Sequence, residues 1–488
     1  MTLQNNPGLL LDLYELTMAA GYFEGKAQAR ATFDLFVRRL PENRSFLVAA
    51  GLENALKFLE KFSFTNQDID FLKQKGIFKD DFLHYLSALR FTGDVYALPE
   101  GTVFFPAEPV LRVAAPILEA QLVESYLLNV INVATTICSK AARVVIAAKG
   151  KGVYDFSLRR TQGPDAALAA ARSSYIAGCA GTSNVLAGAL YNIPLAGTMA
   201  HSFIMSFQDE LESFRGYSRT FPDSTTLLVD TYDYKKGIQN AIRVAGELEA
   251  KGHKLRAIRL DSGNLAAISK LARSVLDAHG LRYVKILASG NLDEYKIERL
   301  LRDRAMIDSF GVGTNMGVSS DAPYLDVIYK LSQIDDLEGN AYPVMKLSQG
   351  KVTYPGKKQV FRIADRRRAY LKDIIGLEGE KAAGKPLLEK VMENGKIVKP
   401  SPSIENLRSF TRDNLQALPA RYKKLEGKSV YPVLLSEGLK QLAARLKRQI
   451  SQRAMVRLPL AAAISQRAMV RLPIAAAIRS GGRKEGAG

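Results

Sequence analysis

From position 153 onward the chain keeps a rhythm that few folds can satisfy, in which short apolar runs alternate with amphipathic helical stretches. The apolar runs fall at 153–157, 194–197, 226–229, 257–260, 284–288, 308–312 and 325–331. A helix between two strands brings the second back parallel to the first. The repetition therefore predicts an α/β fold, an irregular TIM-like α/β barrel over residues 121–340. Polar residues gather at one place in each unit, directly after the strand, at 157–160, 198–202, 230–233, 261–264, 289–291 and 313–315. In a barrel the carboxyl ends of all strands open on one face, so these separated segments converge on one pocket. Gly, Ser, Asp and Asn also make turns and cap helices, which accounts for any single unit; the same polarity in six units favours a shared site.

The rest of the chain reads differently. Helical patterns at 12–21, 53–62 and 80–89 flank a strand at 31–37, which predicts an α+β N-terminal domain over 1–120. A long helical run, 116–148, leads into the barrel. After position 342 the pattern weakens, and 341–445 is expected to pack on the N-terminal domain and partly complete it. Residues 446–488 form a basic tail with a tandem repeat, 450–463 followed by 464–477, differing only at Leu460 against Ile474. Each copy carries a proline, Pro459 or Pro473, expected to break a continuous helix. Two copies are too few for a solenoid, and the tail is expected to be disordered or dispensable.

Charge and composition exclude several classes. The net charge of +19 is scattered, without an aromatic-interleaved basic stripe, and +6 of it lies after position 450. Small polyanionic substrates account for a basic chain as well as nucleic acid does, so no nucleic-acid partner is expected. The apolar stretch 122–137 is interrupted by Glu124, Ser125, Asn129 and Asn132, so no membrane span is expected. The first residues lack an export signal, and a cytoplasmic protein is expected. Cys138 and Cys179 lie in apolar segments without metal or disulfide spacing and read as buried thiols.

Of the four histidines, His201 stands out: it follows a strand in GTMAHSF, residues 197–203, where small neighbours leave room for a phosphate or a substrate. A hydrogen-bonded structural histidine is the competing reading.

Several ordered motifs now carry a resemblance. Residues 12–18 read DLYELTM, 33–39 FDLFVRR, 155–165 DFSLRRTQGPD, 197–205 GTMAHSFIM, 258–263 IRLDSG, 287–291 LASGN, 310–315 FGVGTN and 431–433 YPV. Over about residues 8 to 445 the chain resembles the nicotinate phosphoribosyltransferase family within the type II phosphoribosyltransferases. The resemblance implies that nicotinate, phosphoribosyl pyrophosphate and ATP are substrates and that His201 becomes a phosphohistidine. Asp230 is then either the carboxylate that orients the imidazole or the cap of the next helix. The nicotinate ring is implied to lie between Phe156 and Tyr14, the latter from a neighbouring subunit, with Arg259 on the carboxylate and Thr198 beside it. Arg159, Gly290, Asn291, Gly313 and Thr314 are implied to hold the phosphate-rich donor, and Asp261 its ribose hydroxyls or a magnesium ion, for which manganese can substitute. The metal's ligands are otherwise unassigned. Arg38 and Arg39 are implied to complete the site of a neighbouring subunit in a homodimer.

Relatives that use nicotinamide carry an aspartate in the segment matching 181–184, here GTSN, and its absence favours the acid over the amide. A nicotinamide- or quinolinate-using relative is the runner-up, and a catalytically silent nucleotide-binding barrel stands behind it. The family usually has threonine where this chain has Leu11, so a helix cap is expected to be lost there.

Overall fold

The computed structural model describes residues 8–26, 29–348 and 353–468. The alternating region forms one wholly parallel sheet of six strands, numbered here along the chain: β1 Gly152–Asp155, β2 Gly181–Thr182, β3 Thr226–Leu228, β4 Ala257–Leu260, β5 Lys285–Ala288 and β6 Ser309–Val312. Their order across the sheet is β2-β1-β6-β5-β4-β3. The first strand thus pairs with the last, as in a barrel, and a parallel bridge from Thr182 to Leu195 extends the ladder by one position. The ladder is open between that bridge and β3, which makes the barrel irregular.

A second, seven-stranded sheet carries Ala341–Pro343, Val327–Asp335, Arg30–Val37, Pro109–Pro116, Asp94–Ala97, Glu389–Glu393 and Lys396–Ile397 in that order. The run at 325–331, expected as a further barrel strand, lies here instead. Val327–Asp335 pairs antiparallel with Arg30–Val37, and Tyr329 stacks on Phe33 with ring centroids 4.7 Å apart. Its apolar content is that of a barrel strand. Between β6 and it, however, stands only the four-residue helix Thr314–Gly317, too short to return the chain parallel.

The helix Glu124–Ala147 joins the two halves because its apolar faces serve two cores. Leu127, Val130 and Ile131 pack with the N-terminal sheet, whereas Ala134, Cys138, Ala141, Val144 and Ala147 pack with the barrel. By length and apolarity it is, among the described residues, the one helix that could cross a bilayer, yet 78% of its apolar window is buried inside the fold. Both cysteines are buried and free.

Two terminal features differ from expectation or fall beyond reach. The helix Glu437–Ala468 runs through position 459, where the first proline was expected to end it; proline removes one ladder bond and kinks a helix without having to stop it. Pro473 and residues 469–488 lie outside the described residues. At the other end, the first helix begins at Leu13, and the Asp12 carboxylate accepts from the Ser125 hydroxyl at 2.9 Å.

Glu15 on that helix is buried, and burial pushes its carboxyl up to about 7 despite hydrogen bonds from the Ser125 backbone and hydroxyl. The folded carboxyl therefore holds its proton more tightly than the unfolded one at the ordinary 4.5, and the fold is penalised once pH rises through that window. Thermal stability is expected to fall between pH 4.5 and about 7, with Glu15→Gln flattening that part of the profile. An identical slope in the variant would show that Glu15 is not the responsible group.

Candidate functional site

Along β4, Ile258 and Leu260 are fully buried while Arg259 faces the other way, and its guanidinium organises the mouth of the sheet. Its Nε donates to Ser289 Oγ at 2.8 Å and its Nη2 to Asp261 Oδ1 at 2.7 Å. Nη1 reaches Thr198 Oγ1 and the Met199 carbonyl, both at 3.3 Å. Ser289 in turn donates to Asp261 Oδ1 at 2.5 Å, closing a triangle across the ends of β4 and β5. Burial alone would push the Asp261 carboxyl up, but the Ser289 hydroxyl and the Arg259 cation outweigh it and hold the group below its ordinary range. Asp261 is thus ionised at neutral pH.

The Phe156 ring, one residue past β1, lies 5.7 Å from the Arg259 guanidinium carbon. Gly311 on β6 makes room for it: a Cβ there would meet the ring at 2.4 Å. Phe156, Thr198, Arg259 and Asp261 therefore share one place, although they are drawn from positions 156 to 261 of the chain.

His201 begins the short helix His201–Met205, and its side chain is 41% exposed. Its Nδ1 lies 3.1 Å from Thr231 Oγ1, and its Nε2 lies 3.9 Å from Asp261 Oδ2. One ring nitrogen thus meets a hydroxyl and the other faces the mouth beside Asp261. Asp230 plays neither part foreseen for it. Its Oδ2 accepts from the Asp261 and Ser262 backbone N–H groups, each at 2.7 Å, and from Ser262 Oγ at 2.8 Å. The cap of the helix Tyr234–Glu249 is Asp233. Asp230 is one residue too early for the cap and turns toward the β4 loop, leaving the imidazole to Thr231.

The loops after β5 and β6 meet each other. Asn315 Nδ2 donates to Asn291 Oδ1 at 2.9 Å and to the Leu292 carbonyl at 3.2 Å, which ties the Gly290–Asn291 turn to the segment following Gly313 and Thr314. Gly290 has φ +95°, and a Cβ on it would fall 1.8 Å from the Asp261 carbonyl oxygen, so no other residue fits. Arg159 stands exposed in the turn Leu158–Arg160 and makes no ion pair among the described residues, leaving its fork available to an anion.

Tyr14 is not gathered in. It lies half-exposed on the helix Leu13–Lys26 near Glu124, and no ring contact joins it to Phe156 within one chain. Arg38 and Arg39 both face Asp326 of their own chain, at 3.8 and 3.2 Å.

Sequence reasoning missed Thr231, Ser262 and Ser289 as individual residues, and Asp155. Each follows or ends a strand, which was the available signal. Asp155 is fully buried and accepts from Ser157 Oγ at 2.6 Å and from Thr182 Oγ1 at 2.8 Å, locking the ends of β1 and β2 together. Segment 181–184, which lacks an acid of its own, thus hydrogen-bonds to one that is spent on structure.

The chain is similar to known proteins over most of its length. Residues 9–132 match the nicotinate phosphoribosyltransferase N-terminal domain, 152–360 the nicotinate phosphoribosyltransferase family and 381–443 the nicotinate phosphoribosyltransferase C-terminal domain. The chain is 46% identical to a Mycobacterium tuberculosis nicotinate phosphoribosyltransferase over 91% of its own length and 95% of the relative's. It is 39% identical to the Bacillus subtilis nicotinate phosphoribosyltransferase, covering 87% and 92%. The crystal structure of human nicotinic acid phosphoribosyltransferase superposes with a TM-score of 0.81 at 30% identity, over 90% of this chain and 100% of that one.

Ser289→Ala would leave Arg259 Nε and Asp261 short of a common partner. The expected loss is about 1–3 kcal/mol in denaturant unfolding, the cost of a buried polar group without a hydrogen bond. A negligible loss would mean that water replaces the hydroxyl.

Proposed function

We propose, because the chain belongs to the nicotinate phosphoribosyltransferase family, that ATP phosphorylates His201 and so assists the transfer reaction. The chain is an enzyme that joins nicotinate to the ribosyl phosphate of phosphoribosyl pyrophosphate, the entry of nicotinic acid into NAD synthesis. The observation that carries the mechanistic reading is the convergence of Arg259, Phe156 and a half-exposed His201 on one mouth.

His201 Nε2 attacks the γ-phosphorus of ATP, the bond to the β-γ bridging oxygen breaks, and ADP leaves. Thr231 Oγ1, 3.1 Å from Nδ1, supports this by offering an acceptor to the tautomer that carries its proton on Nδ1 and whose Nε2 lone pair is free. In the transfer itself the pyridine nitrogen bonds to the ribose carbon as the bond to pyrophosphate breaks, and water later releases phosphate from the histidine. Phe156 supplies a flat face for the ring. Arg259 offers its fork to the carboxylate, partly in exchange for Asp261, whose negative charge is then free for ribose hydroxyls or a cation.

Magnesium usually takes one or two carboxylates plus substrate phosphates, and Asp261, ionised and beside His201, fits that habit. When bound, magnesium or manganese neutralises the negative charge of the pyrophosphate. Arg159 and the backbone amides around Gly290, Asn291, Gly313 and Thr314 hold the remaining phosphate oxygens. In a homodimer, Tyr14 completes the nicotinate sandwich of the neighbouring subunit, and Arg38 and Arg39 add positive charge there. The exposed Leu13, Tyr14 and Met18 along the first helix, with Leu10 just before it, support such a covered face.

Incubation with γ-labelled ATP is expected to give acid-labile label on the wild type and none on His201→Asn; equal labelling of both would remove His201 as the carrier. Arg259→Lys keeps a charge but loses the planar fork, and is expected to raise the KM for nicotinate by about tenfold or more, measured at saturating phosphoribosyl pyrophosphate. Turnover of nicotinamide at a rate matching nicotinate would overturn the assignment of Arg259 to a carboxylate.

A further inference from the structure

Beneath the mouth lies a buried cluster of charges that the mechanism above does not use. Lys140, on the helix Glu124–Ala147, is 1% exposed, and its ammonium lies 2.6 Å from Glu294 Oε2 and 2.7 Å from Asp321 Oδ1. Glu294 is the first residue of the helix Glu294–Arg302, which leads directly out of the Gly290–Asn291 turn. Asp321 closes the loop that follows Gly313 and Thr314. One cation therefore grips the far ends of two loops that belong to different strands.

Two arginines reinforce the arms, one on each. Arg143 donates to Glu294 Oε1 at 3.0 Å and to the Tyr295 hydroxyl at 3.0 Å. Arg44, whose side chain is fully buried, donates to Asp321 Oδ1 at 3.1 Å and to Ser319 Oγ at 2.7 Å. Three cations thus face two carboxylates. Replacing the network by apolar residues of similar volume would hold a fold together as well or better, so stability alone is a poor reason for it. Its geometry supplies a better one: Asn315 ties the two loops at the mouth, and Lys140 ties them at the base, so their separation is fixed at both levels.

We infer that Lys140 is a positioning residue for the phosphate-rich donor, setting the spacing between the Gly290–Asn291 and Gly313–Thr314 backbone amides through Glu294 and Asp321. The inference rests on the assignment of those four residues to phosphoribosyl pyrophosphate. Among the described residues Arg259, Phe156 and Thr198 receive no direct bond from the network, so its effect falls first on the donor's seat.

The test measures both Michaelis constants, kcat and thermal melting for the full chain carrying Lys140→Met, Asp321→Asn or Thr314→Glu. Asp321 is 28% exposed, so its isosteric variant is expected to fold even where Lys140→Met does not. Asp321→Asn is expected to raise the KM for phosphoribosyl pyrophosphate by about tenfold, the scale of a small misplacement of binding groups, while the KM for nicotinate stays within about twofold. A change in melting temperature alone, or an equal rise in both KM values, would overturn the inference while leaving the reaction intact. Thr314→Glu probes the assignment itself, because it sets a carboxylate beside the amides said to hold phosphate: if it leaves the donor KM unmoved, the assignment fails and takes the inference with it.

Discussion

The parallel ladder does not stop where its strands stop, and the site depends on that. Beyond the last paired residues, Phe156 N–H still donates to the Val312 carbonyl at 2.9 Å, Ser289 N–H to Leu260 at 2.8 Å, and Val229 N–H to Arg259 at 3.2 Å. Each bond carries the register one step past the sheet, so loops of unrelated sequence leave from the same level. Arg259, Ser289 and Asp261 meet because of this shared level. Nothing in the local sequence of any one loop demands it.

That explains what could and could not be seen in the sequence. Five of the six parallel strands were legible because strand and helix periods differ, and 257–260 was bounded to the residue; Gly181–Thr182 was not foreseen, and the run expected as a strand at 194–197 contributes only the bridge at Leu195. The mouth was legible as a set of loops, because polar residues recur after each apolar run. Partners within the mouth were not. Asp230 and Thr231 are adjacent, either could serve an imidazole, and only the direction of the chain after β3 decides that the hydroxyl rather than the carboxylate reaches Nδ1. The strand Val327–Asp335 was misplaced for a related reason, since apolar content says nothing about which sheet will receive it. Tyr14 was named by resemblance alone, and no periodicity or spacing could have drawn it to the site.

The long helix Glu124–Ala147 shows how the two halves become one molecule. Its first turns are apolar toward the N-terminal sheet, its later turns are small-residued toward the barrel, and Lys140 and Arg143 are the charged residues it commits to the interior of that second half. Burying two cations on one helix costs more than an aliphatic pair would, and removing a single partner from such a network costs about 3–5 kcal/mol. The chain accepts this where the loops of the candidate site are anchored.

The opening in the ladder has a consequence of its own. Among the described residues no backbone hydrogen bond joins 194–200 to 226–231, so the two lips of the seam are held by side chains: His201 against Thr231, and Arg259 reaching Thr198. The fastening of this barrel is therefore made of reactive groups. The wall and the candidate site therefore share the same side chains, His201, Thr231, Arg259 and Thr198.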